Sequence, residues 1–407
     1  MAEIFVQRRA LIVPPEPRNG ADVRELRLLM IVGCELAAFR KQLLEWFRQF
    51  QRDLPWRRTK DPYRIWLSEI MLQQTRVAAV IPYYEKFLER FPDVRSLAEA
   101  PQDEVLRLWS GLGYYSRARN LQKAAQQVVV KHGGSFPKTS EAVLALPGIG
   151  AYTGAAILSI AFDVKHAVLD GNVARVIARL AAVRGDLRVS GRWQSLQKNA
   201  DALLAQDSPG DWNQAMMELG ATICTPKSPQ CLLCPVAQFC KARKLGIAED
   251  LPERRKKRTT VEVTLAAAVF IDPRGRTLLW PSPRPSEKIA EANDVPTLVS
   301  RMWHFPTVAV VKDTLPELRQ FLAALLPCAS HSALLHLEPL KRVRHAVTYR
   351  AVTIFPFRIA VKKLPKISGA KILTPKQFSS LPISNLTRKV ARVALTGAGA
   401  APDSRTK

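Results

Sequence analysis

The sequence predicts a multidomain chain in which an all-α domain is followed by an α+β domain, and three observations carry that reading. At 407 residues the chain is too long for one ordinary core, so two or three domains are expected. Between Glu35 and about Lys244 apolar residues recur at helical spacing, and almost nothing alternates with period two. After Cys240 the pattern changes to β-branched runs at Val261 to Ile271, Val308 to Val311 and Ala351 to Val361.

Residues 1–34 read as a disordered extension, since Pro14, Pro15 and Pro17 preclude a helix and Asn19-Gly20 marks a turn. From Ile65 to Phe91, Trp66, Ile70, Val77 and Ile81 fall at spacings of four or seven, which predicts one amphipathic helix broken at Pro82. Further helices are expected at 102–109, 117–131, 140–146, 151–161, 172–181, 193–205 and 211–222, completing a domain over 35–244. A basic linker, 245–260, includes the run Glu253 to Arg258. The second domain, 261–396, has a hairpin turn expected at Asp272-Pro273-Arg274-Gly275 and a helix at Leu315 to Leu326, before a disordered tail at 397–407.

With 47% hydrophobic and 24% charged residues, the composition is that of a soluble globular protein. There is no run of 18 uncharged apolar residues, so a membrane span is not expected. Leu26 to Val32 is too short, and too poorly flanked, for a signal peptide, leaving a cytoplasmic location as the expectation. The net charge of +26 calls for an acidic partner, and nucleic acid is the usual one. Every charged residue between Pro339 and Pro402 is basic, from Lys341 to Arg392. Such a one-signed stretch suits a surface that meets phosphate, although a generally basic proteome would also produce it.

Cys224, Cys231, Cys234 and Cys240 follow the pattern Cys-x6-Cys-x2-Cys-x5-Cys. Disulfides are not expected in a cytosolic enzyme. Zinc is one candidate, but its structural sites more often use two Cys-x2-Cys knuckles. A single central Cys-x2-Cys with longer arms suits a [4Fe-4S] cluster, whose corners lie wider apart. The unpaired Cys34 and Cys328 are expected to be small buried hydrophobes. The run Leu146-Pro147-Gly148-Ile149-Gly150 lies between two helical stretches. Its glycines permit a tight turn, and the helix that follows offers unpaired N–H groups to a phosphate. Two carboxylates stand out as a pair. Glu69 lies on the apolar helix, where apolar neighbours favour a protonated acid, and Asp170 stands where a helix begins. Each also has a plain structural explanation: Asp170 as a helix cap, Glu69 as an exposed helix position.

Residues 36–244 resemble the MutY family of adenine glycosylases, part of the endonuclease III branch of helix-hairpin-helix glycosylases. The resemblance is carried by Leu54-Pro55-Trp56-Arg57, Ser68 to Thr75, Gly111 to Ala118, Leu146 to Thr153 and the cysteine spacing. It implies a [4Fe-4S] cluster on the four cysteines and a hairpin at Leu146, Gly148 and Gly150 that grips the DNA backbone. It also implies that Glu69 protonates adenine, that Asp170 stabilises the cationic sugar, and that Asn172 assists the water and the aspartate. Gln214, Trp56 and Arg57 would form the pocket of a flipped adenine, while Gln74 and Tyr114 would enter the base stack. Ordinary core packing is the competing explanation for each aromatic. At position 152 the bifunctional relatives carry lysine, which forms a Schiff base. Tyr152 cannot, so base removal by water without strand cleavage is expected.

Residues 261 to about 395 resemble the Nudix-like lesion-recognition domain of the same family, with Met302-Trp303-His304-Phe305-Pro306 as the matching segment and without the glutamate-rich catalytic box. The family's Phe-Ser-His reading loop is replaced by His345-Ala346-Val347-Thr348-Tyr349, which leaves Thr348 and Tyr349 as the expected lesion readers. The resemblance implies a monomer acting on double-stranded DNA with A·8-oxoguanine or A·G mispairs in the nucleoid, with no membrane partner. A G·T mismatch thymine glycosylase and a non-catalytic damage binder are the alternatives. Gln214 and the second domain weigh against the first, and the pairing of Glu69 with Asp170 against the second.

Overall fold

The computed structural model describes residues 31–253, 259–281, 302–311, 313–326, 336–347 and 349–395. Cys328, Thr348, residues 254–258 of the expected linker and the terminal segments 1–30 and 396–407 lie outside the described residues. The helices run α1 (Gly33–Phe50), α2 (Pro62–Leu72), α3 (Val77–Arg90), α4 (Val94–Glu99), α5 (Gln102–Leu108), α6 (Ser116–His132), α7 (Ser140–Leu144), α8 (Ala151–Phe162), α9 (Gly171–Ala181), α10 (Ser190–Leu203), α11 (Pro209–Thr222) and α12 (Lys241–Lys244). There follow β1 (Val261–Ile271), β2 (Thr277–Pro281), β3 (Trp303–His304), β4 (Thr307–Ala309), α13 (Thr314–Leu325), β5 (Glu338–Pro339), β6 (Val343–Val347), β7 (Arg350–Ala360), β8 (Lys371–Leu373) and α14 (Asn385–Leu395). By contacts the chain forms two units, one of residues 1–51 with 167–254 and the other of 52–166 with 255–407.

In the first unit, α1 buries Phe39, Leu43 and Phe47 at a spacing of four, and the edge of Trp212 from α11 meets Phe39 at 5.7 Å between ring centres. Cys34 lies off this stripe and is exposed, contrary to the burial expected of it. In α9 every residue from Val173 to Leu180 is buried, against Leu196 and Leu203 of α10 and Met216 and Leu219 of α11. Each fully buried leucine or phenylalanine contributes roughly 1.5–3 kcal/mol.

In the second unit, α2 is capped by Asp61, whose side chain accepts from Tyr63 N, with Pro62 at the first helical position. All seven residues from Ile65 to Met71 are buried, five of them apolar, and a helix buried on all sides sits at a domain's centre. It packs against α3, α6 and α8. The expected single helix over 65–91 is instead two, and the break lies at residues 73–76 rather than at Pro82. Gln74 adopts φ 59° there, which no α-helix continues through. Pro82 is accommodated inside α3, with Ala78 and Pro82 both on its exposed face, where water can take the carbonyl that the proline leaves unpaired.

The sheet is mixed. β1 and β7 pair in parallel along their whole length, from Val261 opposite Arg350 to Ile271 opposite Ala360, with β4 antiparallel to β1 and β5 and β6 antiparallel to β7. Alternate residues cover opposite faces. Val263, Leu265, Val352 and Ile354 meet Leu386, Val390 and Ala394 of α14, and Ala266, Ala268, Phe270, Phe357 and Ile359 meet Leu318 and Leu322 of α13. The turn expected at 272–275 forms, with Gly275 at φ 68° and its N–H on Asp272 O at 2.9 Å. It does not make a hairpin, however, because β2 pairs with β3 and β8.

Candidate active site

The packing of α2 on α8 brings Glu69 to Tyr152. The tyrosine hydroxyl donates to Glu69 Oε2 at 2.6 Å, and Glu69 is only 6% exposed, so it is not the solvated helix residue that the sequence also allowed. A second link lies beside it, from Gln73 Nε2 to Thr153 Oγ1 at 3.3 Å. Tyr152 is the second residue of α8, directly after the turn 146–150. In that turn Gly148 has φ 82°, and a Cβ there would stand 2.8 Å from Asn120 Cβ. A side chain there would be strained on both counts. Gly150, the cap of α8, is extended and faces open space, which leaves the helix start approachable by a phosphate. Leu146 is buried and shapes the turn, its carbonyl accepting from Ile149 N at 3.2 Å.

In the first unit Asp170 caps α9. Its Oδ1 accepts from Val173 N at 2.7 Å and its Oδ2 from Asn172 Nδ2 at 2.9 Å. Burial raises its carboxyl above the usual carboxylate range, and the bonds from Val173 and Asn172 and the charge of Arg175 pull it part of the way back. Asn172 Oδ1 accepts in turn from Arg175 Nη2 at 2.8 Å, and Arg175 Nε donates to Cys224 O at 2.8 Å. Gly220 lets α11 approach, since a Cβ there would be 2.7 Å from Asn172 Cβ. Gln214 is half-buried on α11, with Nε2 3.4 Å from Gly210 O.

The four cysteines form no disulfide. Among the described residues no group of three or more His, Cys, Asp or Glu is arranged to hold a metal ion; the four thiols line one cavity of about 30 Å³ instead. Arg179, 1% exposed, donates from Nη1 to Cys224 Sγ at 3.2 Å. Burial pushes the Cys234 thiol up to about 12, so thiolates there require a compensating positive charge. An all-sulfur donor set around one cavity, with a buried cation against it, fits an iron–sulfur group.

The remaining expected residues make contacts of their own. Trp56 is buried, its ring edge-on to Tyr84 at 5.4 Å between ring centres, and Arg57 donates from Nη1 to Arg52 O at 3.1 Å. Gln74 and Tyr114 are exposed and both have positive φ, 59° and 47°. At Gly111, three residues before Tyr114, a Cβ would collide with the Tyr83 hydroxyl. The same loop is tied to the sheet-bearing part of its unit, with Ser110 Oγ donating to Ile383 O at 3.0 Å. Tyr349 is 39% exposed at the turn between β6 and β7, with the Arg350 guanidinium 5.1 Å from its ring. Three arginines were given no role from sequence: Arg117, Arg175 and Arg179. The signal for the last two was their i, i+4 spacing on α9, a helix otherwise apolar on that face.

A hairpin between helices beside a buried acid, followed by a four-cysteine loop, defines a class of base-excision repair protein. Consistent with that, the HhH-GPD superfamily base excision DNA repair protein family matches residues 67–200, and the iron-sulfur binding domain of endonuclease III matches residues 224–240. The adenine DNA glycosylase of Homo sapiens is 35% identical over 426 residues, covering 93% of this chain and 78% of that protein. That of Buchnera aphidicola subsp. Baizongia pistaciae is 42% identical over 207 residues, covering 50% and 58%. A solved thermostable thymine-DNA glycosylase is 30% identical, covering 52% of this chain and 97% of that one at a TM-score of 0.47. The chain belongs to the adenine DNA glycosylase family, and its iron–sulfur loop and glycosylase activity in base excision repair follow from that membership.

Proposed function

We propose that the enzyme removes adenine mispaired with 8-oxoguanine or guanine by hydrolysis alone, acting as a monomer on double-stranded DNA and leaving the strand intact. The observation that carries this reading is the 2.6 Å bond from the Tyr152 hydroxyl to Glu69: a phenol stands beside the acid, where a lyase needs an amine. Glu69 delivers a proton to adenine N7, the C1′–N9 bond breaks, and adenine leaves neutral. The ionised Asp170, held by Val173 N and Asn172, offsets the charge on the oxocarbenium-like sugar. Water then adds to C1′ and gives up its proton, yielding an abasic site. Asn172 orients the aspartate, and Gln214 is assigned to the adenine edge. Borohydride added during turnover should trap no protein–DNA adduct, because no Schiff base forms; a trapped adduct on adenine duplexes would overturn the hydrolytic reading.

The iron–sulfur group is assigned as [4Fe-4S] on Cys224, Cys231, Cys234 and Cys240. When bound it would supply positive charge to four half-buried sulfur ligands and tie the 224–240 loop into one piece. Gly148, Gly150 and the start of α8 are assigned to a DNA phosphate. The sheet with α13 and α14 on its two faces supports a Nudix-like lesion-recognition role for residues 261–396, and the basic surface and DNA substrate support a nucleoid location in the cytoplasm. Tyr349 reads the lesion in this assignment, together with Thr348, which lies outside the described residues. Tyr349→Ala should reduce the preference for 8-oxoguanine over guanine opposite the adenine, measured as a ratio of single-turnover rates, while the rate on A·G pairs holds. An unchanged ratio would remove Tyr349 from the role.

A further inference from the structure

Arg117, in the first turn of α6, spends its guanidinium on two loops at once. Nη1 donates to Ile70 O at 2.8 Å, to Met71 O at 3.0 Å and to Gln73 O, carbonyls that the end of α2 leaves without helical partners. Nη2 donates to Thr75 Oγ1 at 3.3 Å, Leu112 O at 3.2 Å and Gly113 O at 3.3 Å. The same group lies 5.4 Å from the Trp109 ring and 5.6 Å from the Tyr114 ring, while Trp109 Nε1 donates to Gly113 O at 3.1 Å. These acceptors flank Gln74 and Tyr114, the two exposed residues held at positive φ. A side-chain-bearing residue keeps that conformation only where its surroundings over-determine it. The chain itself separates the loops by some forty residues, and the Arg117 side chain joins them.

We propose that Arg117 is a positioning residue that locks the 73–75 and 112–114 loops into one rigid wedge, so that Gln74 and Tyr114 enter the base stack together. This rests on the assignment of those two residues to the stack. Burial lowers the guanidinium to about 10, so it stays charged at neutral pH, and the negative end of α2 faces it. Lysine cannot substitute, because one ammonium lacks the planar fork that reaches six acceptors on two loops.

The test uses the full-length holoenzyme with Arg117→Met and Arg117→Lys. Amide hydrogen exchange at 73–75 and 112–115 in the free protein should rise in both segments together. Single-turnover adenine removal should slow about tenfold or more on a paired duplex, and by no more than about twofold when the adenine lies in a bubble of unpaired bases, which needs no opening. Arg117→Lys, which keeps the cation and most of the stem, should show the same pattern and so separates positioning from a fold defect. In a Gln74→Ala, Tyr114→Ala background, Arg117→Met should add less than about twofold. If that double variant slows the duplex reaction but Arg117→Met does not, or if Arg117→Met slows duplex and bubble equally, the positioning role is wrong. If the double variant leaves the duplex rate unchanged, the wedge assignment fails and the proposal falls with it.

Discussion

Asp170→Asn is expected to lower single-turnover adenine removal by about 10,000-fold, on the order of 5.5 kcal/mol of transition-state stabilisation, with duplex affinity little changed. Asparagine is as good a helix cap as aspartate, and its carbonyl can still accept from Val173 N, so α9 should begin as before. What is lost is the negative charge beside the sugar. The wild-type rate should also carry an acid limb governed by Asp170. Its carboxyl is raised by burial, so it stays protonated, and inactive, to a higher pH than an ordinary aspartate at about 3.9. The sign for stability is the opposite of that for activity. A carboxyl with a raised folded pKa binds its proton more tightly in the native state, so its contribution is present at low pH and lost as pH rises through the folded value. Rate should therefore climb through the window in which this group begins to cost stability. Rapid-quench rates from pH 4 upward, with thermal melts at the same pH values, check both signs.

Glu69→Gln is expected to cost about a thousandfold in the same assay, the usual worth of a positioned general acid. Glutamine keeps the length of the side chain and an oxygen to accept the Tyr152 hydroxyl, so the contact between α2 and α8 should survive and the melting temperature should hold. Retention of most of the rate by Glu69→Gln would show that the proton reaches adenine by another route. It would also revive the non-catalytic reading of this scaffold.

Much of this was legible before any coordinates, and the exceptions have physical causes. Helices such as α6, α9 and α11 follow the apolar periodicity, because burial of one face is what the pattern records. The four cysteines and the Leu146–Gly150 turn were legible because their chemistry demands particular residues at fixed short spacings. The break at Gln74 was not: a stripe of apolar residues reports which face is buried and is silent about a single residue at positive φ. Strand pairing failed at β1 and β2 for a related reason, since the 272–275 turn is local but the partners of β2 come from distant segments. For Trp56 and Glu69 the sequence offered both a packing and a functional explanation. Burial with an aromatic neighbour is compatible with either for Trp56, whereas a short bond to Tyr152 gives Glu69 a polar task. Arg175 and Arg179 show in the sequence only as two charges one turn apart on an apolar helix, and Arg117 leaves no signature, because it acts mainly on backbone carbonyls, which every residue supplies.

The central claim, hydrolytic removal of adenine from a mispair without strand cleavage, is tested most directly on one labelled duplex. It carries a single adenine opposite 8-oxoguanine and is quenched in parallel with and without alkali. The account predicts strand breaks only in the alkali-treated sample, accumulating in step with released adenine. Breaks of equal yield without alkali, or breaks without free adenine, would contradict it.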